Sequence, residues 1–378
     1  MARERLLKVY RLLVDVSVRE EYVCGLFLGL VAREPVLLVG PSGVGRDRLV
    51  RLLAQMLGAR MFRYSLVRFA GFDDIFGAVD VFKKPPRRMW SRIIDADIVF
   101  ITNVFRASSA IYNALLEMVE TGKVYDPVTG DEAEVKMWIL VGTTKPEELR
   151  KEIVQEFAEL YETFPIRVYE NYMDYMRLEK ALESRWDSIT DTGQTASMDD
   201  VKTLHEFAEK LLATRVKRLG SPIYKIYHET VVPVVLELRR RGIIVSDDMV
   251  VEKLPKIYSA YLALFGVSME NLVVATPKIL SYLATSEKQF LEIRDAINRA
   301  LGDFSKLVEL TEKLNNIKKL MRNGEYDKAL QLLEEVLEKD VKTIVANPLL
   351  TQRAKEIARE AQEYLARLKE HKENVRRW

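Results

Sequence analysis

The sequence predicts an α/β fold in which a parallel sheet flanked by helices is followed by an all-helical domain and a C-terminal helical extension. Three observations carry that prediction. Short, fully apolar runs such as Ile98-Val99-Phe100-Ile101 alternate with amphipathic stretches, as buried parallel strands alternate with their covering helices. A glycine-rich turn joins the apolar Val36 to Val39 run to a helical pattern, which makes one βα unit. Beyond residue 198 only helical periodicity remains.

Residues 1 to 33 read as two helices, the first with Leu6, Val9, Tyr10 and Leu13 on one face. After the glycine turn, Leu49, Val50, Leu53, Met56 and Leu57 recur at helical spacing and Gly58 supplies a stop. Met61 to Tyr64 is a second strand. A proline-broken basic loop follows, Lys83-Lys84-Pro85-Pro86-Arg87-Arg88, with Trp90 close behind. Ile98 to Ile101 is a third strand, and Ala107 to Glu120 a helix with Ile111, Leu115 and Met118 in register. Lys123-Val124-Tyr125 and Glu134-Val135-Lys136 flank a turn-rich Asp126 to Asp131 segment and predict a hairpin. Trp138 to Val141 and Ile166 to Tyr169 complete the strands. A polar stretch from Ser184 to Met198 reads as a loop or insertion. Helices are predicted over 199–218, 222–241, 247–265, 269–283 with an interruption at Pro277, and 286–300. After Gly302 come a helix to Arg322, another from Gly324 to Glu338, and a charged one from Leu350 to the end. Gly324 to Leu337 has the pattern of one tetratricopeptide helix, but a single copy builds no solenoid, so a helical hairpin is favoured.

A chain of 378 residues, 48% hydrophobic and 30% charged, is long enough for two or three cores. Its net charge of +2 points neither to general nucleic-acid binding nor to an acidic partner. The lone Cys24, set among Tyr22, Val23, Leu26 and Phe27, excludes an internal disulfide and fits a reducing cytoplasm. No apolar run is long enough for a membrane span. His205, His228 and His371 lack metal-ligand spacing, and the acids of the Asp126 to Asp131 turn lack that of a calcium loop. The basic loop with Trp90 has the elements of a nucleic-acid grip, although such charge runs are more often solvated. Arg239-Arg240-Arg241 complements the carboxyl end of its helix.

The glycine turn, Gly40-Pro41-Ser42-Gly43-Val44-Gly45, satisfies the frame of a phosphate-binding loop, yet Arg46 and Asp47 stand where Lys and then Ser or Thr are required. Several segments, in order, resemble the MoxR/RavA group of AAA+ ATPases. They are Arg19-Glu20-Glu21-Tyr22 through the glycine turn, Asp73-Asp74-Ile75-Phe76-Gly77, Ala96-Asp97-Ile98-Val99-Phe100, and Phe105-Arg106-Ala107-Ser108-Ser109-Ala110-Ile111 running on through Asn113 to Glu117. The resemblance covers residues 15 to 170, more loosely the helical part to 300, and not the tail. It implies an AAA+ P-loop core over 1–180, a polar insertion and linker helix over 181–220, a helical lid over 221–301 and a helical hairpin extension over 302–378. It further implies a ring, commonly hexameric, that remodels protein partners, often with von Willebrand A-type proteins, and a hairpin tip facing the pore.

The family's functional positions are substituted one after another. Arg46 keeps a charge, but its planar fork does not fit the lysine's cradle. Asp47 replaces the hydroxyl offered to magnesium, and a carboxylate repels phosphate by about 4 kcal/mol at about 4 Å in a surface-like dielectric. From the first turn of its helix, its carboxylate is expected partly to take the phosphate's place. Thr102 and Asn103 stand for the Asp-Glu pair that holds magnesium and activates water, leaving no carboxylate base. Lys145 stands for the water-positioning residue, Thr163 for the arginine finger and Asp248 for the arginine of the lid. The implied protein is a pseudo-ATPase whose vestigial loop, Gly40, Ser42, Gly43, Gly45, Arg46 and Asp47, holds no cofactor, or weakly holds ATP or ADP with Mg. As such it is a structural or regulatory member of a homo- or hetero-oligomeric assembly with another AAA+ protein. The alternatives are a divergent but active, chaperone-like ATPase and a clamp-loader-like DNA-associated subunit.

Overall fold

The computed structural model describes residues 1–149, 158–187, 194–240, 243, 245–323, 325–337, 359–366 and 368–369. The chain divides into two compact units, Met1–Ile293 and Arg294–Trp378. Among the described residues no helix is long and apolar enough to cross a membrane.

The first unit is built on a five-stranded parallel sheet of order β2-β5-β8-β1-β9, formed by β1 Val36–Val39, β2 Met61–Ser65, β5 Ile98–Thr102, β8 Ile139–Thr144 and β9 Ile166–Tyr169. Strands β1, β8 and β9 are buried along their whole length, which explains why β1 and the start of β8 read as apolar runs rather than as alternation. Register places Val39 beside Thr144 and Tyr169, so the strands end together along one rim. Helices α1 (Ala2–Ser17), α2 (Glu20–Ala32), α3 (Arg46–Leu57) and α5 (Ser109–Thr121) bury apolar faces in the same unit.

Two short antiparallel ribbons stand apart from the main sheet. One is the expected hairpin, β6 Lys123–Tyr125 with β7 Glu132–Glu134, paired so that Lys123 faces Glu134. The other, β3 Val79–Asp80 with β4 Arg87–Arg88, closes the base of what reads in the sequence as an open basic loop. Two-residue strands carry no periodicity, so the closure has no sequence signal. The short helix α4 (Phe72–Phe76) precedes it.

Helix α6 (Ala158–Thr163) precedes β9, and α7 (Tyr175–Asp187) and α8 (Met198–Leu211) follow it. The helix thus runs four residues into the stretch expected to be loop from Ser184, and residues 188–193 lie outside the described residues. Helices α9 (Pro222–Ile226), α10 (Val232–Arg240), α11 (Leu254–Phe265) and α12 (Met269–Ser281) follow. Contrary to the expected interruption, Pro277 lies inside α12. The far end of this helical part is tied to the sheet: Arg167 donates through Nε to the Tyr282 carbonyl at 3.2 Å, and the Tyr161 and Tyr169 hydroxyls both donate to the Ala284 carbonyl at 3.2 Å. His205 is structural, as its position on a helix suggests. It bonds the Val31 carbonyl through Nδ1 at 2.8 Å, beside Trp138, which donates to the Leu30 carbonyl at 2.8 Å. Together they satisfy the carboxyl end of α2.

Helix α13 (Glu287–Arg322) is continuous, so Gly302 does not separate two helices as expected. In the second unit, α14 (Tyr326–Glu335) buries Ala329 and Leu333, and Lys318 pairs with Glu360 at 2.5 Å. Arg241, His371 and the start of the terminal helix lie outside the described residues.

Candidate functional site

The glycine turn sits on the rim where β1, β5 and β8 end, between β1 and the first turn of α3. Gly43 and Gly45 adopt φ of +86° and +87°, a left-handed conformation that costs a side-chain-bearing residue energy and that lets the chain reverse into the helix. The turn is anchored by Gly40, whose N–H donates to the Thr144 carbonyl at 3.2 Å, and by Tyr22, whose hydroxyl donates to the Val39 carbonyl at 2.6 Å. Ser42 is exposed, and its carbonyl accepts from the Tyr172 hydroxyl at 3.2 Å.

Arg46 turns inward. Its guanidinium donates to the carbonyls of Leu38 at 3.1 Å, Pro41 at 3.2 Å and Thr144, stitching β1, β8 and the turn together. Burial holds its pKa below the ordinary arginine value, against the opposing pull of Tyr22 and Glu148. Asp47 lies in the first turn of α3, as expected, and is half-buried. Its carboxylate is engaged by Arg51 at 2.8 Å and by Arg63 of β2. The second guanidinium is delivered by a distant strand, and the two charge-assisted contacts hold the carboxylate at the start of its helix.

Thr102 ends β5, and its carbonyl accepts from Leu66 N–H at 2.9 Å. Asn103 follows at φ +55°, with Nδ2 3.5 Å from the Ser65 hydroxyl. Lys145 follows β8 and caps a short turn, its N–H donating to Glu148 at 3.3 Å. Glu148 is the residue that sequence reasoning missed. It accepts from Thr144 Oγ1 at 3.0 Å and, on its other oxygen, from Arg106 Nε and Nη2 at 2.8 and 2.6 Å. Thr144 therefore links Glu148 to the carbonyl that Arg46 holds. No motif spacing marks Glu148, though its neighbour Lys145 was singled out.

The rim thus brings together Gly40 to Asp47, Thr102, Asn103 and Lys145. Thr163 is not among them. It ends α6 before β9 begins, at the opposite end of the parallel sheet, and is buried with its hydroxyl bonded back to Glu159 at 2.9 Å. Asp248 is 61% exposed and 3.6 Å from Lys253.

Beside the turn lies a cavity of about 400 Å³ lined by Arg19, Val44, Arg48, Leu49, Tyr172 and Leu178 among others. Arg19 is buried against Glu170 at 2.9 Å, with Arg177 at 3.4 Å from the same oxygen. Burial pushes the Glu170 carboxyl up, and the two guanidinium groups oppose it.

Residues 4–209 match the family model described as the MoxR domain in the MoxR-vWA-beta-propeller ternary systems. One uncharacterized protein of Methanocaldococcus jannaschii is 26% identical over 242 residues, covering 61% of this chain and 58% of the relative. A second from the same organism is 25% identical over 206 residues, covering 51% and 50%. The chain therefore spans about half to three fifths of the length of these curated relatives. Among solved structures, a Cytophaga hutchinsonii protein described as a candidate ATPase superposes with a TM-score of 0.57 at 14% identity, over 74% of this chain and 87% of that one. The superposition establishes the fold alone.

Proposed function

Because this chain belongs to the family of MoxR domains of MoxR-vWA-beta-propeller ternary systems, an AAA+ group, we propose that it is a non-hydrolysing structural or regulatory subunit of a protein assembly. The observation that carries the reading is Arg46. A guanidinium held by three main-chain carbonyls serves the fold, where a phosphate loop needs a cation free to face the β- and γ-phosphates. The other positions agree. Asp47 is engaged by two arginines and offers no hydroxyl to a metal, and Thr102 and Asn103 supply no carboxylate, either to hold a metal or to act as base. The residues present thus do not fit a magnesium triphosphate, and no step is derived through one. Thr163, buried and bonded to its own helix, does not reach toward a neighbour. The partners that suit such a subunit are proteins: an active AAA+ relative in a ring, and a von Willebrand A-type protein of the kind the family's description includes.

A second reading, a divergent and chaperone-like ATPase, is favoured by one observation, the Glu148 carboxylate beside Arg46 on the rim. Both of its oxygens are already engaged, by Arg106 on one side and by Thr144 and the Lys145 N–H on the other, so neither is free to orient an attacking water. Thermal unfolding with saturating ATP or ADP and magnesium separates the readings. A site filled at about 100 times its dissociation constant stabilises by about 2.7 kcal/mol, and the non-hydrolysing reading with a closed phosphate seat predicts no measurable shift with either nucleotide. A shift of several degrees with ATP would favour the second.

A further inference from the structure

The cavity of about 400 Å³ beside the glycine turn has the size of a small-molecule site, about 300–1,000 Å³. Helix α3 lines it through Leu49 and Leu52, and α7 through Leu178 and Leu182, four residues apart on one helical face. Val44 and Met173 add to the apolar lining. The charge on the walls has one sign: Arg19 and Arg48 line the cavity and, among the described residues, no aspartate or glutamate does.

Helix α7 borders this space with little packing of its own. Leu178 is 51% exposed and Leu182 57%, and from Tyr175 to Glu183 no residue of the helix is buried. A surface helix ordinarily buries its apolar stripe against a neighbour, so the Leu178–Leu182 face stands over a gap in the packing. The two arginines are incompletely paired as well. Arg48 is exposed and has no acidic partner among the described residues. Arg19 is 4% exposed and donates through Nη1 to Glu170 at 2.9 Å and to the Asn171 carbonyl, while its Nε is buried without an acceptor. Arg177 lies 3.4 Å from the same Glu170 oxygen, so that one carboxylate faces two guanidinium groups.

We infer that the cavity binds an anionic amphiphile, a hydrocarbon chain of medium length that ends in a carboxylate or a phosphate. The chain completes the apolar packing between α3 and α7, and the head meets the guanidinium charge that no lining carboxylate balances. A nucleoside triphosphate is a poorer match. Its phosphates need the seat that Arg46 closes, and its base would turn hydrogen-bonding edges toward leucine, valine and methionine side chains that answer none of them. An uncharged chain leaves the guanidinium groups as they are, and a cationic one is repelled by them. The inference touches the non-hydrolysing reading only through Arg46.

Isothermal titration of the full chain with decanoate and with decyl phosphate, each below its micellar concentration, tests this. We expect saturable binding of at least one of them, at least about tenfold tighter than binding of decanol or decyltrimethylammonium and unchanged by ATP with magnesium. The tighter of the two acids identifies the head group. Arg48→Glu and Leu178→Asp, both at exposed positions, are each expected to weaken binding by about tenfold or more while melting at the wild-type temperature. No saturable binding of either acid, equal binding of the neutral or cationic chain, or unaltered binding by the folded variants overturns the inference. So does displacement of the bound acid by ATP, which would give the cavity to a nucleotide. Phosphate release, measured separately, reports on the non-hydrolysing reading whichever way the titration falls.

Discussion

Replacing Arg88 with alanine is expected to destabilise the protein by about 3–5 kcal/mol, the cost of removing one partner of a buried ion pair and leaving the other charge uncompensated. The Arg88 side chain is 1% exposed and that of Asp126 is wholly buried, so water cannot replace the lost contacts. Asp126→Asn is expected to cost somewhat less, because an amide keeps part of the hydrogen bonding to Val128 and Thr129. Urea unfolding measures both. The pair also predicts an acid limb. Burial alone would push the Asp126 carboxyl up, but hydrogen bonds from Arg88, Thr129 and the Val128 N–H outweigh it and hold the group well below the usual carboxylate range. A depressed carboxyl contributes stability above its unfolded value of about 3.9, and that contribution is lost as pH falls through the lower folded value. Wild-type stability should therefore fall on acidification below about pH 4, and Asp126→Asn should fall less steeply over the same window. Equal acid slopes for the two proteins would contradict the pairing.

Replacing Arg46 with alanine is expected to lower unfolding free energy by about 2–3 kcal/mol, since hydrogen bonds from a charged donor are worth roughly 1.5–3 kcal/mol and the Thr144 carbonyl keeps the Gly40 N–H. Arg46→Lys should recover only part of this, because one ammonium cannot span carbonyls contributed by β1, β8 and the turn. The direction is the reverse of that for a working phosphate loop, where the corresponding change removes nucleotide and leaves the fold intact. Chemical unfolding of the three proteins decides it. Unchanged stability combined with a change in nucleotide affinity would place the guanidinium on a phosphate instead.

The strands and the glycine turn were legible because their signals are local. A buried parallel strand is an apolar run, and a left-handed turn demands glycine, so Ile98 to Ile101 and Gly40 to Gly45 read correctly from the chain. Features set by distant partners were not. The bearing of Asp47 depends on Arg63, sixteen residues away on another strand, and the role of Glu148 depends on Arg106, forty-two residues away. The β3–β4 closure rests on Arg87 and Arg88 meeting two aspartates of a second hairpin, which no window of sequence contains. Pro277 and Gly302 were read as breaks because each disfavours helix locally. Pro277 nevertheless lies in a helix whose residues Leu272, Ala275 and Ile279 are buried, so packing there overrides propensity. That Thr163 sits inside the protein follows only from the packing of α6.

The central claim is that this AAA+ body does not hydrolyse ATP. The most direct measurement is phosphate release by the purified chain with ATP and magnesium, read against the same protein with Gly45→Ala. The account predicts a rate at the background of ATP in buffer, identical for both proteins. Turnover above that background, abolished by Gly45→Ala or by Arg46→Ala at a temperature where the variants remain folded, would contradict it.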